Sequence, residues 1–316
     1  MKALMYHYVR PAPVGLPYFR YLHVDDFCRQ LDWLQARFPF PSWEEFREGG
    51  KTGAAPEGVV LTFDDGFRDH YEYVLPELKA RNLWGFFFIP TAPLDSAVIL
   101  DVHRVHLILG LIGGDKALQA LRKITDASII VVAYTDTFRD LTYTHQTNDD
   151  ATALFKKTLN YYISYEYRAE VIARLFKDVY GDGPPTADEI YLSSNQIREM
   201  ADAGMVIGSH GTNHLVFSRL LADEQRFEIS DSTATLGGII GNSIETFCYP
   251  YGGAGTFTDE TQTILHDHGV LYSFAVLPED INAKDFSERP HALPRYNCNQ
   301  FPHGRASIGG SSPPAA

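Results

Sequence analysis

The sequence predicts an α/β fold in which parallel strands alternate with helices, with a long helical insertion between its two halves. Two apolar runs, residues 59–63 and 84–90, are typical of buried strands, and residues 73–78 between them have the spacing of an amphipathic helix. Strand, helix and strand in that order favour parallel pairing through a right-handed crossover. Residues 96–189 differ, because helical periodicities follow one another there with few strand signals.

Further elements extend this alternation on both sides of the insertion. Residues 3–9 are predicted to form an opening strand, and helices are predicted to begin at Val24 and Ser42, next to acidic or capping residues. After the insertion, the pattern predicts helices at 193–200, 220–229 and 259–268 and strands at 205–208, 244–249, 271–276 and 289–297. The main domain is therefore expected in residues 1–95 and 190–300. The Gly-, Ser- and Pro-rich end, residues 302–316, is expected to be a disordered tail.

Composition and charge exclude several classes of protein. The chain has 316 residues, of which 45% are hydrophobic, and its net charge of −13 argues against a nucleic-acid or anionic-membrane partner. Its three cysteines form no CxxC pair, which argues against a zinc ribbon or a disulfide framework and fits a reducing compartment. The first residues lack the apolar core of a signal peptide, and no run is long enough to span a bilayer. We therefore expect a soluble, cytoplasmic protein.

Two adjacent carboxylates stand where the first predicted strand should end. Residues 59–63 lead directly into Asp64, Asp65 and Gly66, although an unpaired carboxylate is very costly to bury. One interpretation is an ordinary solvated turn, since Asp and Gly are common turn residues. The other is the mouth of a barrel, where one acid holds a metal ion and the other moves a proton.

A pair of histidines supports the second interpretation. His210 and His214 directly follow the predicted strand 205–208, and their spacing allows both imidazoles to face one side of a helical turn or tight loop. The carboxyl ends of the strands in a parallel barrel open onto one face, so a carboxylate and two imidazoles can meet there. Zn²⁺, Co²⁺, Ni²⁺ and Fe²⁺ all suit this donor set. The sequence therefore indicates metal-assisted hydrolysis, with a non-ligating carboxylate as the proton acceptor.

These residues resemble the motifs of a known family. The segment Thr62-Phe63-Asp64-Asp65-Gly66, followed by His210 and His214, looks like the first two motifs of the polysaccharide deacetylases, which are carbohydrate esterase family 4 with the NodB-homology domain. The resemblance covers residues 1–95 and 190–300 and implies a distorted (β/α) barrel, a divalent metal, zinc above all, and hydrolysis of an N-acetyl group on a sugar. By the same resemblance, Asp64 is the general base, and the metal ligands are Asp65, His210 and His214.

The third motif departs from the family pattern Arg-x-Pro-Tyr. The chain reads Cys248-Tyr249-Pro250-Tyr251, so a cysteine takes the place of the arginine while Pro250 and Tyr251 remain. In the family, the backbone N–H of this tyrosine helps to hold the oxyanion, as such a donor should. Arg295 is our candidate for the arginine that orients Asp64. In the second motif, Gly211 stands where Ser or Thr is common, which predicts weaker support of that loop.

A further resemblance concerns the N-terminal residues. The segment Tyr6-His7-Tyr8-Val9 resembles an element of the circularly permuted branch that includes poly-N-acetylglucosamine deacetylases. There the histidine is the general acid for the departing amine, which implies that role for His7. His291 is the alternative candidate.

Three functions remain open at the level of sequence. The first is a metal-dependent N-deacetylase that releases acetate from an acetamido-sugar substrate. The second is a metal amidohydrolase that acts on a non-sugar amide, since one barrel can support several acyl groups. The third is a sugar-binding barrel without turnover, which the missing motif arginine favours and the intact set of two acids and two histidines disfavours.

Overall fold

The computed structural model describes residues 1–140, 142, 148–181 and 183–309, which form two compact units. The first unit comprises Met1–Pro11, Leu22–Val98 and Ala187–Ala306. The second comprises Ala12–Tyr21, Ile99–Thr186 and the described residues from Ser307 onwards. No sequence signal grouped residues 12–21 with the central helical region, because that short Pro-rich segment reads only as a loop.

The strands and helices follow one another along the chain in the described residues as follows. The strands are β1 Lys2–Tyr6, β2 Val9–Arg10, β3 Arg20–His23, β4 Val59–Phe63, β5 Phe86–Ile89, β6 Val206–Ser209, β7 Thr246–Cys248, β8 Tyr272–Phe274, β9 Tyr296–Asn297 and β10 Ser307–Ile308. The α-helices are α1 Val24–Gln35, α2 Trp43–Thr52, α3 Leu75–Ala80, α4 Ala92–Ser96, α5 Asp101–Ile124, α6 Val132–Phe138, α7 Asp150–Lys157, α8 Tyr165–Tyr180, α9 Ala187–Ile190, α10 Ser194–Asp202, α11 Ala222–Ile240, α12 Asp259–Asp267 and α13 Ala283–Glu288. A π-helical turn, His70–Val74, precedes α3.

A seven-stranded parallel sheet organises the first unit. Its strand order is β8-β7-β6-β5-β4-β1-β9, and the strands are joined by parallel pairings such as Leu4↔Leu61 and Phe87↔Ile207. The stretch Leu293–Asn297 pairs with β8 through Leu293 and with β1 through Tyr296, so it connects the two ends of the curled sheet. The predicted (β/α) barrel fold is confirmed. Arg295 lies in the middle of that connecting stretch.

Alternation along β4 explains how polar groups reach the inside of the barrel. Leu61 and Phe63 belong to a core cluster that includes residues of α1, whereas Val60 packs with Phe88 and Cys248 in another cluster. Successive strand residues point to opposite faces, so Thr62 and Asp64 continue the face of Val60. All five residues of β4 are buried, as expected for a parallel strand covered on both faces.

Several elements differ from the sequence expectations. The helix expected at 220–229 runs on to Ile240 as α11, past Gly237 and Gly238, and ends at Gly241, the left-handed C-cap. The return expected at 289–297 contains a 3₁₀ turn and only the short strand β9. In the expected tail, Ser307–Ile308 pairs with Tyr21 and Arg20 as β10, and residues 310–316 lie outside the described residues. Among the described residues, no helix is long and apolar enough to cross a membrane.

The second unit is mainly helical. It contains α5 to α8, and α5 is kinked at Gly113, where φ is 75°. Arg168 of α8 is buried and donates hydrogen bonds to Asp101, Asn160 and the carbonyl of Leu159. A buried guanidinium with several acceptors links three segments of this unit.

Candidate active site

The turn after β4 directs its two aspartate side chains towards different partners. Asp64 still follows the strand and donates its N–H to the carbonyl of Tyr6 at 3.0 Å. Asp65 then takes a left-handed conformation with φ 78°, and Gly66 follows with φ 62°. A Cβ on Gly66 would lie 2.9 Å from Cγ2 of Ile89, so this tight turn requires glycine. The two carboxylates are consecutive and both are buried, with different partners.

Asp64 forms a two-pronged ion pair with Arg295. Nη1 of Arg295 lies 2.7 Å from Oδ1 of Asp64, and Nη2 lies 2.9 Å from Oδ2. Nη1 also donates to Oγ1 of Thr62 at 3.0 Å, and Nη2 lies 2.9 Å from Sγ of Cys248. The side chain of Arg295 is fully buried, and that of Asp64 is 3% exposed. The guanidinium that sequence reasoning assigned to Asp64 therefore contacts it directly.

This pairing sets the charge of both groups. Burial by itself would raise the pKa of Asp64, but Arg295, followed by His210 and His7, outweighs burial and holds the pKa below its usual value. Burial likewise lowers the pKa of Arg295, and its contacts with Asp64 and Cys248 raise it above the usual value. Asp64 is therefore an ionised carboxylate held in a fixed orientation.

Asp65, His210 and His214 bring three metal-ligand atoms together. Oδ1 of Asp65 lies 3.5 Å from Nε2 of His210 and 3.2 Å from Nε2 of His214. All three side chains are nearly completely buried, and their ligand atoms lie within 4.8 Å of one another. One carboxylate and two imidazoles form a donor set suited to a divalent transition metal.

The tautomer of His210 tests whether this set fits a metal. Nδ1 of His210 lies 2.7 Å from the backbone carbonyl of Cys248. A carbonyl only accepts, so Nδ1 donates this hydrogen bond, and Nε2, which faces Asp65, is the nitrogen available to bind a metal ion. Burial lowers the pKa of His210, but Cys248, Asp65 and Asp64 outweigh burial and raise it above its usual value. The pocket therefore favours positive charge at this position, and the residues fit a bound cation.

A second group of ligand-type atoms overlaps the first. Asp64, His210 and Cys248 also place their atoms within 4.8 Å of one another. Both carboxylate oxygens of Asp64 and the sulfur of Cys248 already accept hydrogen bonds from Arg295. A guanidinium beside these atoms repels a cation, so the set of Asp65, His210 and His214 is the better metal site.

Glu228 of α11 supports the loop between the two histidines. Its Oε2 accepts the backbone N–H groups of Thr212 and Asn213, each at 2.8 Å, and its Oε1 accepts from Nδ2 of Asn213. Gly211 has φ 73°, and a Cβ there would lie 3.1 Å from Oε2 of Glu228. The predicted weakening of this loop at Gly211 is therefore offset by a buried carboxylate, which the glycine leaves room to approach.

Of the two histidines considered as general acids, His7 lies nearer to Asp64. Nε2 of His7 is 4.0 Å from Oδ2 of Asp64, and its side chain is 41% exposed. His291 is buried, and its Nδ1 lies 3.3 Å from Oγ of Ser273. Burial, with a smaller effect from His266, lowers the pKa of His291 to about 4. His7 therefore faces both the carboxylate and solvent, whereas His291 is buried and its carbonyl accepts a hydrogen bond from the hydroxyl of Tyr249.

The retained Pro-Tyr pair borders the same pocket. Pro250 is buried, and Tyr251 has a left-handed backbone with φ 66°. The ring of Tyr251 meets the ring of His214 edge to face, with 4.9 Å between their centroids. Tyr251 thus lies beside His214, one of the candidate metal ligands.

Sequence reasoning missed three residues of the site. Thr62 bridges Arg295 and the carbonyl of Leu4 within the barrel. Glu228 reads as one more acid on an exposed helix face, and His70 reads as part of the segment leading into α3. Only the polar Thr62 within an otherwise apolar strand offered a signal, because a polar residue there needs a buried partner.

Comparisons with known proteins agree with this fold. The sequence model of the family described as polysaccharide deacetylase matches residues 171–273. A comparison with curated proteins finds no match. Three similar solved structures have the same fold at low sequence identity, and one of them, Streptococcus pyogenes deacetylase PplD in complex with acetate, is 16% identical, with 94% of this chain and 91% of that chain covered and a TM-score of 0.58. IcaB from Ammonifex degensii is 18% identical, with 94% of this chain and 90% of that chain covered and a TM-score of 0.53. A de-N-acetylase from Aggregatibacter actinomycetemcomitans is 17% identical, with 93% of each chain covered and a TM-score of 0.55.

Proposed function

We propose that the chain, whose residues 171–273 match the sequence model of the polysaccharide deacetylase family, hydrolyses the N-acetyl group of a 2-acetamido sugar and releases acetate. The observation that carries the proposal is that the two aspartates after β4 have different partners. Asp65 faces His210 and His214, while Asp64 faces Arg295, so one site holds a ligand set and a separate oriented carboxylate. The similar PplD structure was solved with acetate, the product expected here.

Asp65, His210 and His214 would hold the metal ion. When bound, it would polarise the amide carbonyl and lower the pKa of water. Two imidazole nitrogens and one carboxylate oxygen suit Zn²⁺, which we propose as the metal, and the same donors accept Co²⁺, Ni²⁺ or Fe²⁺. The hydrogen bond from Nδ1 of His210 to the carbonyl of Cys248 fixes the ring in the ligating orientation.

Asp64 acts as the general base. Its carboxylate is ionised because its pKa is held below the usual value, and Arg295 fixes its plane through two hydrogen bonds. It accepts a proton from the attacking water, whose oxygen adds to the amide carbonyl carbon. The guanidinium remains fully charged and balances the carboxylate in a site where water is largely excluded.

Tyr251 and His7 act on the oxygen and the nitrogen of the substrate amide, respectively. The negative oxygen of the tetrahedral intermediate accepts a hydrogen bond from the backbone N–H of Tyr251. The C–N bond then breaks as His7 gives a proton to the sugar nitrogen, so that an amine leaves together with acetate. His7 suits this role because its imidazole lies 4.0 Å from Asp64 and is open to solvent and substrate.

The direct test is acetate release from oligomers of N-acetylglucosamine, with the protein stripped of metal and then titrated with Zn²⁺. The proposal expects no turnover without metal and restored turnover at one equivalent. Activity on formyl or cyclic amides with none on acetamido sugars would favour a non-sugar amidohydrolase. Saturable binding of the oligomers without turnover at any metal loading would indicate a binding barrel.

A further inference from the structure

The segment that carries His7 is fixed through its backbone. The carbonyl groups of three successive residues, beginning with the last residue of β1, each accept a hydrogen bond from another part of the first unit. The carbonyl of Tyr6 accepts from the N–H of Asp64 at 3.0 Å, and that of Tyr8 accepts from the N–H of Leu22 at 2.9 Å. The carbonyl of His7 accepts from Nε2 of His70, also at 2.9 Å. Only this middle bond comes from a side chain, so only this one depends on residue type.

His70 is a neutral imidazole in an apolar environment. It is fully buried, and its ring lies against the rings of Phe63, Phe67 and Phe87, at centroid distances of 5.6, 5.8 and 5.8 Å. Since the carbonyl of His7 only accepts, Nε2 carries the proton and Nδ1 does not. Within the described part of the chain, Nδ1 of His70 has no hydrogen-bond partner.

This environment indicates why the residue is a histidine. A phenylalanine would fill the same space without burying a nitrogen that lacks a partner, and such a nitrogen is costly to desolvate. The bond to His7 is therefore the interaction for which an imidazole is needed at this position. The π-helical turn His70–Val74 begins at this residue, and such turns are frequent at functional sites.

The neighbouring residues strengthen the same connection. Asp69, next to His70, accepts a hydrogen bond from Nε of Arg10 at 2.6 Å. The ring of Tyr8 stacks on that of Phe67 with 4.0 Å between centroids. The turn that follows the two aspartates thus contacts the His7 segment at Tyr8, His7 and Arg10.

We propose that His70 is a positioning residue that acts on the reaction through His7. The imidazole of His7 is 41% exposed and lies 4.0 Å from Oδ2 of Asp64, so its direction depends on how its own backbone is held. His70 holds the carbonyl of that residue and thereby aims the general acid at the leaving nitrogen. The inference rests on the role proposed above for His7.

Two substrates separate a positioning role from a structural one. An acetamido sugar loses an amine, which must be protonated as it leaves, whereas 4-nitrophenyl acetate loses a phenolate that leaves without a proton. The matched variants are His70→Gln, whose amide nitrogen can replace Nε2, and His70→Asn, whose shorter amide cannot. The rate of Asp65→Asn, a variant that lacks one proposed metal ligand, is subtracted from each measured rate as the background.

We expect His70→Asn to lower kcat on the acetamido sugar about 10-fold or more, with KM and aryl-ester hydrolysis changed by less than about twofold. His70→Gln should keep both activities. The double variant His7→Ala with His70→Asn should be no slower on the sugar than His7→Ala alone, because both changes remove the same proton transfer.

Three results would overturn the inference. If His70→Asn lost activity equally on both substrates, His70 would have only a structural role. If His70→Asn kept full turnover of the sugar while His7→Ala was impaired, His70 would have no role in positioning His7. If His7→Ala kept full turnover of the sugar, His7 would not be the general acid, and the inference about His70 would fall with that assignment. The proposed release of acetate, with Asp64 as the general base, would not be affected by this result.

Discussion

Arg295 and Asp64 are 231 residues apart in the chain, yet they form a two-pronged ion pair inside the barrel, with N–O distances of 2.7 and 2.9 Å. The arginine of the family motif is a cysteine here, and the sulfur of Cys248 lies 2.9 Å from Nη2 of Arg295. A small side chain on β7 thus leaves room for a guanidinium that comes from the stretch closing the sheet. The arginine has a different place in the chain, and the carboxylate keeps a cationic partner.

Removal of Arg295 alone should be strongly destabilising. Arg295→Met leaves the carboxylate of Asp64 buried without its counter-ion, and we expect a loss of about 3–5 kcal/mol in the free energy of unfolding. Adding Asp64→Asn removes that charge and should restore part of the loss. Urea unfolding of the two single variants and the double variant measures this, and a double variant less stable than Arg295→Met would contradict the explanation.

The loop between the candidate metal ligands His210 and His214 should depend on Glu228. One oxygen of its carboxylate accepts two backbone N–H groups between His210 and His214 and the other accepts from Nδ2 of Asn213, whereas an amide has only one accepting oxygen for these three donors. We expect Glu228→Gln to weaken Zn²⁺ binding by about 10- to 100-fold, as measured by competition with a chromogenic chelator.

A matched control lies one turn earlier on the same helix. Glu224 is exposed and accepts the N–H of Leu221 at the start of α11. Glu224→Gln should leave Zn²⁺ affinity unchanged. Equal weakening by both changes would mean that the helix as a whole, and not the loop contact, supports the ligands.

His70 should make the fold sensitive to mild acid. Burial lowers its pKa from the usual 6.5 to about 4, so the unfolded chain takes up a proton first as the pH falls. The stability that comes from neutral His70 is complete above pH 6.5 and is lost as the pH falls from there towards 4. At pH 5 the loss should be about 2 kcal/mol relative to neutral pH.

The comparison that isolates this effect uses His70→Gln, which does not titrate. Urea unfolding of both proteins at pH 7 and pH 5 should show the wild type losing about 2 kcal/mol more than the variant. Parallel losses in the two proteins would assign the acid sensitivity to other groups.

Local pattern was sufficient to predict much of the fold and the proximity of Asp65, His210 and His214. The end of β4 could be predicted from its apolar run, and the two carboxylates follow it directly. The two histidines likewise lie within a few residues of the predicted end of β6. Because parallel strands open their carboxyl ends onto one face, those short signals also predicted that the side chains meet. The structure brings Asp65, His210 and His214 together in that way.

The supporting residues could not be predicted in the same way. Glu228 is one of several acids on α11, and nothing in the sequence distinguishes it from Asp223 or Glu224, which stay exposed. His70 lies in a π-helical turn, whose hydrogen bonding leaves no clear sequence period. The partners of such residues depend on long-range packing, since Glu228 meets a loop and His70 meets the end of the first strand.

The central claim is that two consecutive aspartates divide the chemistry, Asp65 for the metal and Asp64 for the proton. One measurement tests it directly: bound Zn²⁺ and acetate release from N-acetylglucosamine oligomers, determined on the same samples of Asp64→Asn and Asp65→Asn. The account predicts that Asp64→Asn keeps about one Zn²⁺ per chain with acetate release at least about 100-fold lower, whereas Asp65→Asn loses the metal as well. Undiminished acetate release by Asp64→Asn would contradict it.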